Sequence, residues 1–286
     1  MRTLLLASLA LIGVGAGGPA WAADMRLKAP VYKAPPPVAA YNWTGCYVGG
    51  NAGHIRSKGD VALRPSGAFL DPFDIFSDPL IQDPLKRSYA TSGSGFLGGV
   101  QIGCNLQHDR LVLGLEVDFN RSSLKETTDA HYDPIGLPSP LAVDLASRTE
   151  QVAKSLDWFS TGLARLGFAL HDRFLVYGTG GVALARISST TSVLFGPDGQ
   201  LLANLRFVGS DTRTRRAAVV GGGAEFAVTP NWSLKAEYLF MNFGAFGYET
   251  PQSGPVPFFT PAFTWATAAG DTRVHIARVG LNYKFD

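Results

Sequence analysis

Long stretches of the chain alternate between apolar and polar side chains with a period of two residues, which is the pattern of a β-strand whose two faces meet different surroundings. The clearest stretch is residues 111–119, where apolar side chains share one face while Glu116 and Asp118 share the other. Such segments begin at Trp43 and cover residues 43–54, 92–104, 110–121, 156–169, 173–187, 214–228, 232–244 and 272–286. The pattern therefore predicts an all-β chain of eight strands.

The connections between these segments are alternately long and short. By these boundaries, three connections contain 3 to 5 residues and four contain 26 to 37 residues. This alternation is typical of a membrane β-barrel, which has short periplasmic turns and long extracellular loops. Each segment also exceeds the ~9–11 residues that a tilted membrane-spanning strand needs. We therefore predict an eight-stranded antiparallel up-and-down transmembrane β-barrel over residues 42–286.

The face opposite the apolar one collects charged side chains, which are Glu116, Asp118, Arg165, Glu225, Lys235, Glu237, Arg278 and Lys284. Facing lipid near the membrane midplane, a charged side chain would cost up to about 2–4 kcal/mol. Inside a narrow lumen, four acids and four bases can neutralise one another. We therefore predict a charge cluster in the lumen. A turn centred on Pro230 places Glu225 opposite Lys235, and a turn centred on His171 places Arg165 opposite Tyr177.

The N-terminus has the pattern of an export signal. A basic start at Arg2 precedes an apolar stretch over residues 4–18, and a small-x-small motif ends at Ala22. We predict residues 1–22 to be a signal peptide cleaved between Ala22 and Ala23. Residues 23–41 form a proline-rich leader, which is either a solvated linker or a segment that docks to a wall polymer.

Composition excludes several other classes of protein. The formal net charge is only +2, so no strong basic field indicates a nucleic-acid partner. Beyond residue 23, no uncharged apolar run approaches the ~20 residues of a membrane-spanning helix. His54, His131 and His275 are too scattered to predict a metal site. We therefore predict no catalytic residue, no cofactor and no bound metal, and we expect a protein that is not an enzyme.

Five sequence blocks resemble the Gly-rich outer-membrane β-barrels called outer-membrane immunogenic proteins, relatives of OmpA-type barrels. The blocks are Tyr41-Asn-Trp-Thr-Gly-Cys-Tyr-Val-Gly-Gly-Asn51, Gly98-Gly-Val-Gln-Ile-Gly-Cys-Asn105, Leu163-Ala-Arg-Leu-Gly-Phe168, Tyr177-Gly-Thr-Gly-Gly-Val-Ala183 and Val279-Gly-Leu-Asn-Tyr-Lys-Phe285. The resemblance implies a surface protein that supports the outer membrane and displays its loops. It also implies contacts with outer-membrane lipid, with lipopolysaccharide and with the barrel-assembly machinery. A narrow porin-like channel and an outer-membrane hydrolase are the alternatives.

The chain departs from this family at two places. Asp286 follows Phe285, whereas such barrels usually end on the aromatic residue. Cys46 and Cys104 also occupy positions where the family often has aromatic residues. Both cysteines fall on the lipid face of adjacent antiparallel strands, near the periplasmic end. Because directly opposed residues lie within disulfide range and the compartment is oxidising, we predict a Cys46–Cys104 bond.

Two predicted loops, 55–91 and 245–271, are rich in apolar and aromatic residues. Such loops either pack on themselves or offer a surface to an extracellular partner. In the first loop, Asp71, Asp74 and Asp78 are also an alternative set of calcium ligands, although their spacing fits no known ligand loop.

Overall fold

The computed structural model describes residues 41–67, 79–136, 144–198, 204–253 and 263–285. One short helix, α1 (Pro79–Leu85), follows the first strand, and among the described residues no helix is long and apolar enough to cross a membrane. The strands are β1 (Gly45–Gly67), β2 (Arg87–His108), β3 (Leu111–Tyr132), β4 (Ile135–Gly136), β5 (Asp144–Leu145), β6 (Arg148–His171), β7 (Phe174–Phe195), β8 (Arg206–Ala227), β9 (Trp232–Asn242), β10 (Phe246–Pro251), β11 (Phe263–Ala269) and β12 (Arg273–Lys284).

Eight antiparallel strands close into a ring, in the order β1, β2, β3, β6, β7, β8, β9 and β12. Following directly paired residues once around the ring leads from Cys46 through Cys104, Leu115, Ala164, Gly180, Val220, Phe240 and His275 to Arg56. The path returns to β1 ten residues further along, so the strands are strongly staggered. This stagger tilts the strands and closes the sheet, which confirms the predicted eight-stranded barrel.

Strands β10 and β11 continue the barrel wall beyond β9 and β12. The upper part of β1 pairs with β11, which in turn pairs with β10. The wall is interrupted between β9 and β10, where Gly244 has a φ of +68°, a conformation that glycine adopts without strain. The amide of Phe243 donates to the carbonyl of Thr272 at 3.0 Å, so hydrogen bonding continues across this break.

The outer surface has an apolar belt, which comprises the outward residues of 96–106 of β2, 111–119 of β3, 166–170 of β6, 174–184 of β7, 220–226 of β8, 232–238 of β9 and 279–283 of β12, with Val48 of β1. Its outward side chains are strongly exposed, for example Leu115 at 69% and Val220 at 59%. The belt surrounds the barrel near the end that carries the short turns and the C-terminal strand. Exposed aliphatic groups in a continuous band are the expected lipid contact of a membrane barrel.

The barrel interior is filled in layers. The lower apolar layer, nearest the short turns, contains Trp43, Val112, Ala169, Leu175, Tyr177 and Ala227. The charged residues follow, and above them the middle apolar layer includes Ile55, Leu97, Phe159, Leu239 and Ile276. The upper apolar layer includes Val61, Leu63, Phe207 and Trp265. Apolar packing therefore lies both below and above the charges.

The predicted strand ends were wrong on the side away from the short turns. Strands β1, β2, β3, β6, β7 and β8 contain 22 to 24 residues, so they extend well beyond the apolar belt. Much of the predicted loop 55–91 belongs to β1, α1 and β2, and loop 245–271 contains β10 and β11. The aspartates proposed as calcium ligands, the signal peptide, the leader up to residue 40 and Asp286 lie outside the described residues.

Candidate functional site: the charged layer in the lumen

The structure brings seven of the eight predicted lumen charges into one buried layer. They lie on β3, β6, β8, β9 and β12, and each is at most 4% exposed. Their side chains meet because each points inward from its strand, and the register of the strands brings these positions to a similar depth in the barrel. The seven residues, called the charged layer below, are Glu116, Asp118, Arg165, Glu225, Lys235, Glu237 and Arg278.

Glu116 is the centre of the charged layer. One carboxylate oxygen accepts from Lys235 Nζ at 2.6 Å and lies 3.4 Å from an Arg278 nitrogen. The other accepts from the Tyr47 hydroxyl at 2.6 Å and lies 3.5 Å from Arg165 Nη1. One carboxylate therefore joins three cations and a phenol from four other strands. A group with so many charged hydrogen bonds is strongly held in place.

The two arginines extend the network to the remaining acids. Arg278 contacts Asp118 at 2.8 Å and Glu237 at 2.6 Å. Arg165 contacts Glu225 at 2.8 Å, and its guanidinium lies 3.9 Å from the centre of the Tyr177 ring. Every carboxylate of the layer thus contacts at least one cation, which is the condition for burying charges without a large penalty.

Lys284 does not join the charged layer, which corrects its predicted place. It lies at the end of β12, only partly buried, and its Nζ donates to the carbonyl of Asn42 at 2.7 Å. The same ammonium lies 4.6 Å from the centre of the Tyr41 ring. Without Lys284 the layer has four acids and three bases, so the predicted balance of charge is also wrong. The alternation correctly predicts that Lys284 points inward, but it does not predict how deep in the barrel a residue lies, and Lys284 lies too close to the short-turn end to reach the charged layer.

The two pairings predicted from the turns differ from the register or from the ion pairs of the structure. Glu225 does lie directly opposite Lys235, yet the carboxylate pairs with Arg165 while Lys235 turns to Glu116. Arg165 lies opposite Thr179 rather than Tyr177, because the β6–β7 turn falls at Asp172 and Arg173 instead of being centred on His171. Side chains inside a narrow barrel reach across the lumen, so backbone neighbours need not be ion partners.

Uncharged polar residues complete the layer, although they were not among the predicted site residues. Asn51 donates to Gln101 at 2.9 Å, and Gln101 donates to Asn282 at 2.6 Å. Asn282 in turn donates to Glu225 at 2.9 Å. Each of the three amides lies across from a glycine of a neighbouring strand, and strand parity alone predicts the inward face for each of them. Parity was a signal for the aromatic residues as well, because Tyr47 shares the inward face of β1 with Asn51, and the pairing predicted for Arg165 puts Tyr177 on the inward face.

A second buried ion pair lies in the upper barrel, beyond the apolar belt. Arg148 Nε lies 2.6 Å from a carboxylate oxygen of Glu150, and the guanidinium is 5.4 Å from the centre of the Trp265 ring. The Tyr89 hydroxyl donates to Glu150. Burial raises the pKa of the Glu150 carboxyl, and the charge of Arg148 opposes that shift. This pair was not among the predicted sites, because it falls in segments assigned to loops.

The structure joins Cys46 and Cys104 in a disulfide. Their Cα atoms are 4.0 Å apart in directly paired positions of β1 and β2. Both residues are exposed on the outward face, near the short-turn end. The bond therefore lies on the lipid side of the wall and does not enter the lumen.

The closed ring, the apolar belt and the buried charges together define a transmembrane β-barrel of the outer-membrane type. A family model described as "Outer membrane protein beta-barrel domain" matches residues 27–285. The chain belongs to this family, and it is a protein of the bacterial outer membrane. Among the described residues, no group of three or more His, Cys, Asp and Glu side chains is placed to hold a metal ion.

Two relatives in sequence support this assignment. Two proteins named "31 kDa outer-membrane immunogenic protein", from Brucella melitensis biotype 1 and Brucella suis biovar 1, are each 33% identical over 287 residues. The match covers 100% of both chains in each case. Among solved structures, the outer membrane protein OprG from Pseudomonas aeruginosa aligns with 12% identity and a TM-score of 0.41, covering 86% of this chain and 98% of that one.

Proposed function

We propose that this protein is a non-conducting outer-membrane barrel that supports the envelope and displays its extracellular end at the cell surface. The observation that carries the proposal is the filled lumen. Below the charged layer, Trp43 and Leu175 are at most 2% exposed, and above it Phe159 and Leu239 are fully buried. An eight-stranded barrel is just wide enough for its own side chains to fill it.

The charged layer supports the same function. A conducting pore needs polar groups that remain free to exchange water or solute, whereas these side chains are committed to one another. Lys235 is fully buried, and its ammonium is held between Glu116 at 2.6 Å and Glu237 at 3.7 Å. Solute passage would require these pairs to separate and the apolar layers on both sides to open. A rigid plug favours a structural role over transport and over catalysis.

Single-channel recording in planar bilayers tests the absence of conductance. The purified protein is first shown to be folded by its heat-modifiable migration on gels, and a general porin in the same lipid is the positive control. We expect no steady conductance above that of the protein-free bilayer. Steady ohmic steps that scale with the amount of folded protein, and that heating abolishes, would overturn the proposal in favour of a small-solute channel.

A deletion strain tests the structural role. We expect loss of the gene to increase sensitivity to bile salts and leakage of periplasmic enzymes, and the wild-type gene to restore both. The Leu115→Arg variant keeps the lumen and the upper barrel but disrupts the lipid face, so we expect it to restore both properties less completely than the wild-type gene. A deletion strain with normal detergent resistance and no leakage would contradict the role in envelope support.

A further inference from the structure

Basic side chains are concentrated on the outer wall directly above the apolar belt. Going up β3 on the outward face, the apolar run ends at Phe119 and the next outward residue is Arg121. On β7 and β8 the same change occurs from Leu184 to Arg186 and from Ala218 to Arg216. All three arginines are exposed. The same change therefore occurs at the top of the belt on three different strands.

The richest group lies on the neighbouring strands β1 and β12. Lys58 and Arg273 are directly paired residues, and Arg56 is the preceding outward residue on β1. The outward residues immediately closer to the belt are His54 and His275. Three permanent cations thus share one patch of the outer wall, at the level where the membrane core ends. We call Arg56, Lys58 and Arg273 the cationic patch.

A cleft of about 320 Å³ opens at the cationic patch. It is lined by Lys58, Arg273, Thr91 and Ser92, with Asp60 and Asp271 also on its wall. Asp60 lies two residues beyond Lys58 along β1, and Asp271 lies two residues before Arg273, so both aspartates are further from the belt than the cations. The positive side of the cleft therefore faces the membrane. The cleft therefore offers cations next to lipid, with hydroxyl and carboxylate groups above them.

The cations of the patch are largely free to bind a ligand. Among the described residues, neither Arg56 nor Lys58 has a carboxylate within 4.0 Å, and Arg273 approaches only Asp271, at 3.9 Å. This contrasts with the charged layer in the lumen, where every cation is paired. Unpaired cations at an interface are available to phosphate groups, and arginine binds phosphate in two-pronged geometry.

The level of the patch identifies the ligand. The short turns mark the periplasmic side of an outer-membrane barrel, so the opposite end of the belt meets the outer leaflet. The outer leaflet carries lipopolysaccharide, whose lipid A headgroup is a phosphorylated sugar above acyl chains. We propose that Arg56, Lys58 and Arg273 bind a phosphate group of lipid A, with its sugar in the cleft above and its acyl chains on the apolar belt. This inference does not depend on whether the lumen conducts.

Native mass spectrometry of the folded barrel with added diphosphorylated lipid A tests the site. The test variant is Arg56→Gln/Lys58→Gln/Arg273→Gln. A matched control, Arg64→Gln/Arg110→Gln/Arg206→Gln, removes three exposed cations at other levels of the barrel. Arg64 and Arg206 lie further from the belt than the patch does, and Arg110 lies in the short turn between β2 and β3. Because each basic residue near an anionic lipid surface contributes about fivefold to binding, we expect the test variant to bind roughly a hundredfold more weakly. The control should stay within about threefold of wild type.

A third variant, Arg121→Gln/Arg186→Gln/Arg216→Gln, separates the patch from the other basic residues at this level and should lose less than the test variant. Dephosphorylated lipid A should bind wild type about as weakly as lipid A binds the test variant. Millimolar inorganic phosphate should leave lipid A bound.

The proposal is overturned if the test variant binds lipid A like wild type, or if the third variant loses as much or more. Equal binding of dephosphorylated lipid A would show that acyl contact alone explains the affinity. Displacement by inorganic phosphate would reveal a free-phosphate site instead. Heat-modifiable migration establishes that each variant is folded, and these exposed substitutions should leave it unchanged.

Discussion

Removing the central carboxylate of the charged layer should be among the most damaging changes to this barrel. Glu116→Gln keeps the shape of the side chain but takes the charged acceptor away from Lys235, Tyr47 and the two arginines. The Lys235 ammonium is then left with Glu237 at 3.7 Å as its nearest carboxylate. Separating a buried pair in this way costs about 3–5 kcal/mol of unfolding free energy. Because the layer has one more acid than base, loss of one negative charge offsets part of the cost, and we expect about 3 kcal/mol.

A double-mutant cycle assigns this loss to the contact itself. Combining Glu116→Gln with Lys235→Met should recover part of the stability, with a coupling energy of about 1 kcal/mol or more. The comparison cycle uses Glu225→Gln with Lys235→Met. Glu225 is the backbone neighbour of Lys235 but pairs with Arg165, so this coupling should be about 0.5 kcal/mol or less.

Reversible urea unfolding in phospholipid vesicles, followed by tryptophan fluorescence and gel migration, measures both cycles. Equal coupling in the two cycles would mean that backbone register, rather than reach across the lumen, decides the ion partners. A cost below about 1 kcal/mol for Glu116→Gln would refute the central role of this carboxylate.

Three further predictions test the wall of the barrel. Leu115→Arg on the lipid face should lower the free energy of unfolding in vesicles by about 2–4 kcal/mol. Thr127→Arg, outward on the same strand but above the belt, should change it little, and equal effects of the two substitutions would contradict the position of the belt. Gly181→Ala places a Cβ against the carbonyl oxygen of Gly162 on β6 and should cost more than about 1 kcal/mol. Gly178→Ala on the same strand meets nothing within 4 Å and should be tolerated, and parallel unfolding titrations of the two variants measure the difference. Alkylation of non-reduced protein from freshly isolated outer membranes should modify neither cysteine, and mass spectrometry that finds two modified thiols would exclude the Cys46–Cys104 bond.

The membrane-embedded half of the barrel was predictable because lipid imposes a strict contrast. An outward charge there is costly, so the outward face of residues 111–119 carries only apolar side chains, while the inward face holds Glu116 and Asp118 beside the buried Val112. The contrast identified the strands, their inward charges and the adjacent positions of Cys46 and Cys104. It did not identify ion partners, because Lys235 can reach Glu116 as easily as its neighbour Glu225. Partner choice depends on distances across the lumen, which no local pattern contains.

The upper half escaped prediction because its pattern is inverted. Below the boundary on β1, outward Val48 is apolar and inward Asn51 is polar. Above it, outward Arg56 and Lys58 are charged, while inward Ile55 and Leu63 are fully buried. The alternation continues in the same strand, but water replaces lipid outside, so apolar side chains gain by turning inward. The pattern with one constant apolar face therefore ends at the membrane surface, and this is why the rest of each strand was predicted to be a loop. The residue at which the two patterns exchange faces marks the boundary itself, and that is where the cationic patch lies.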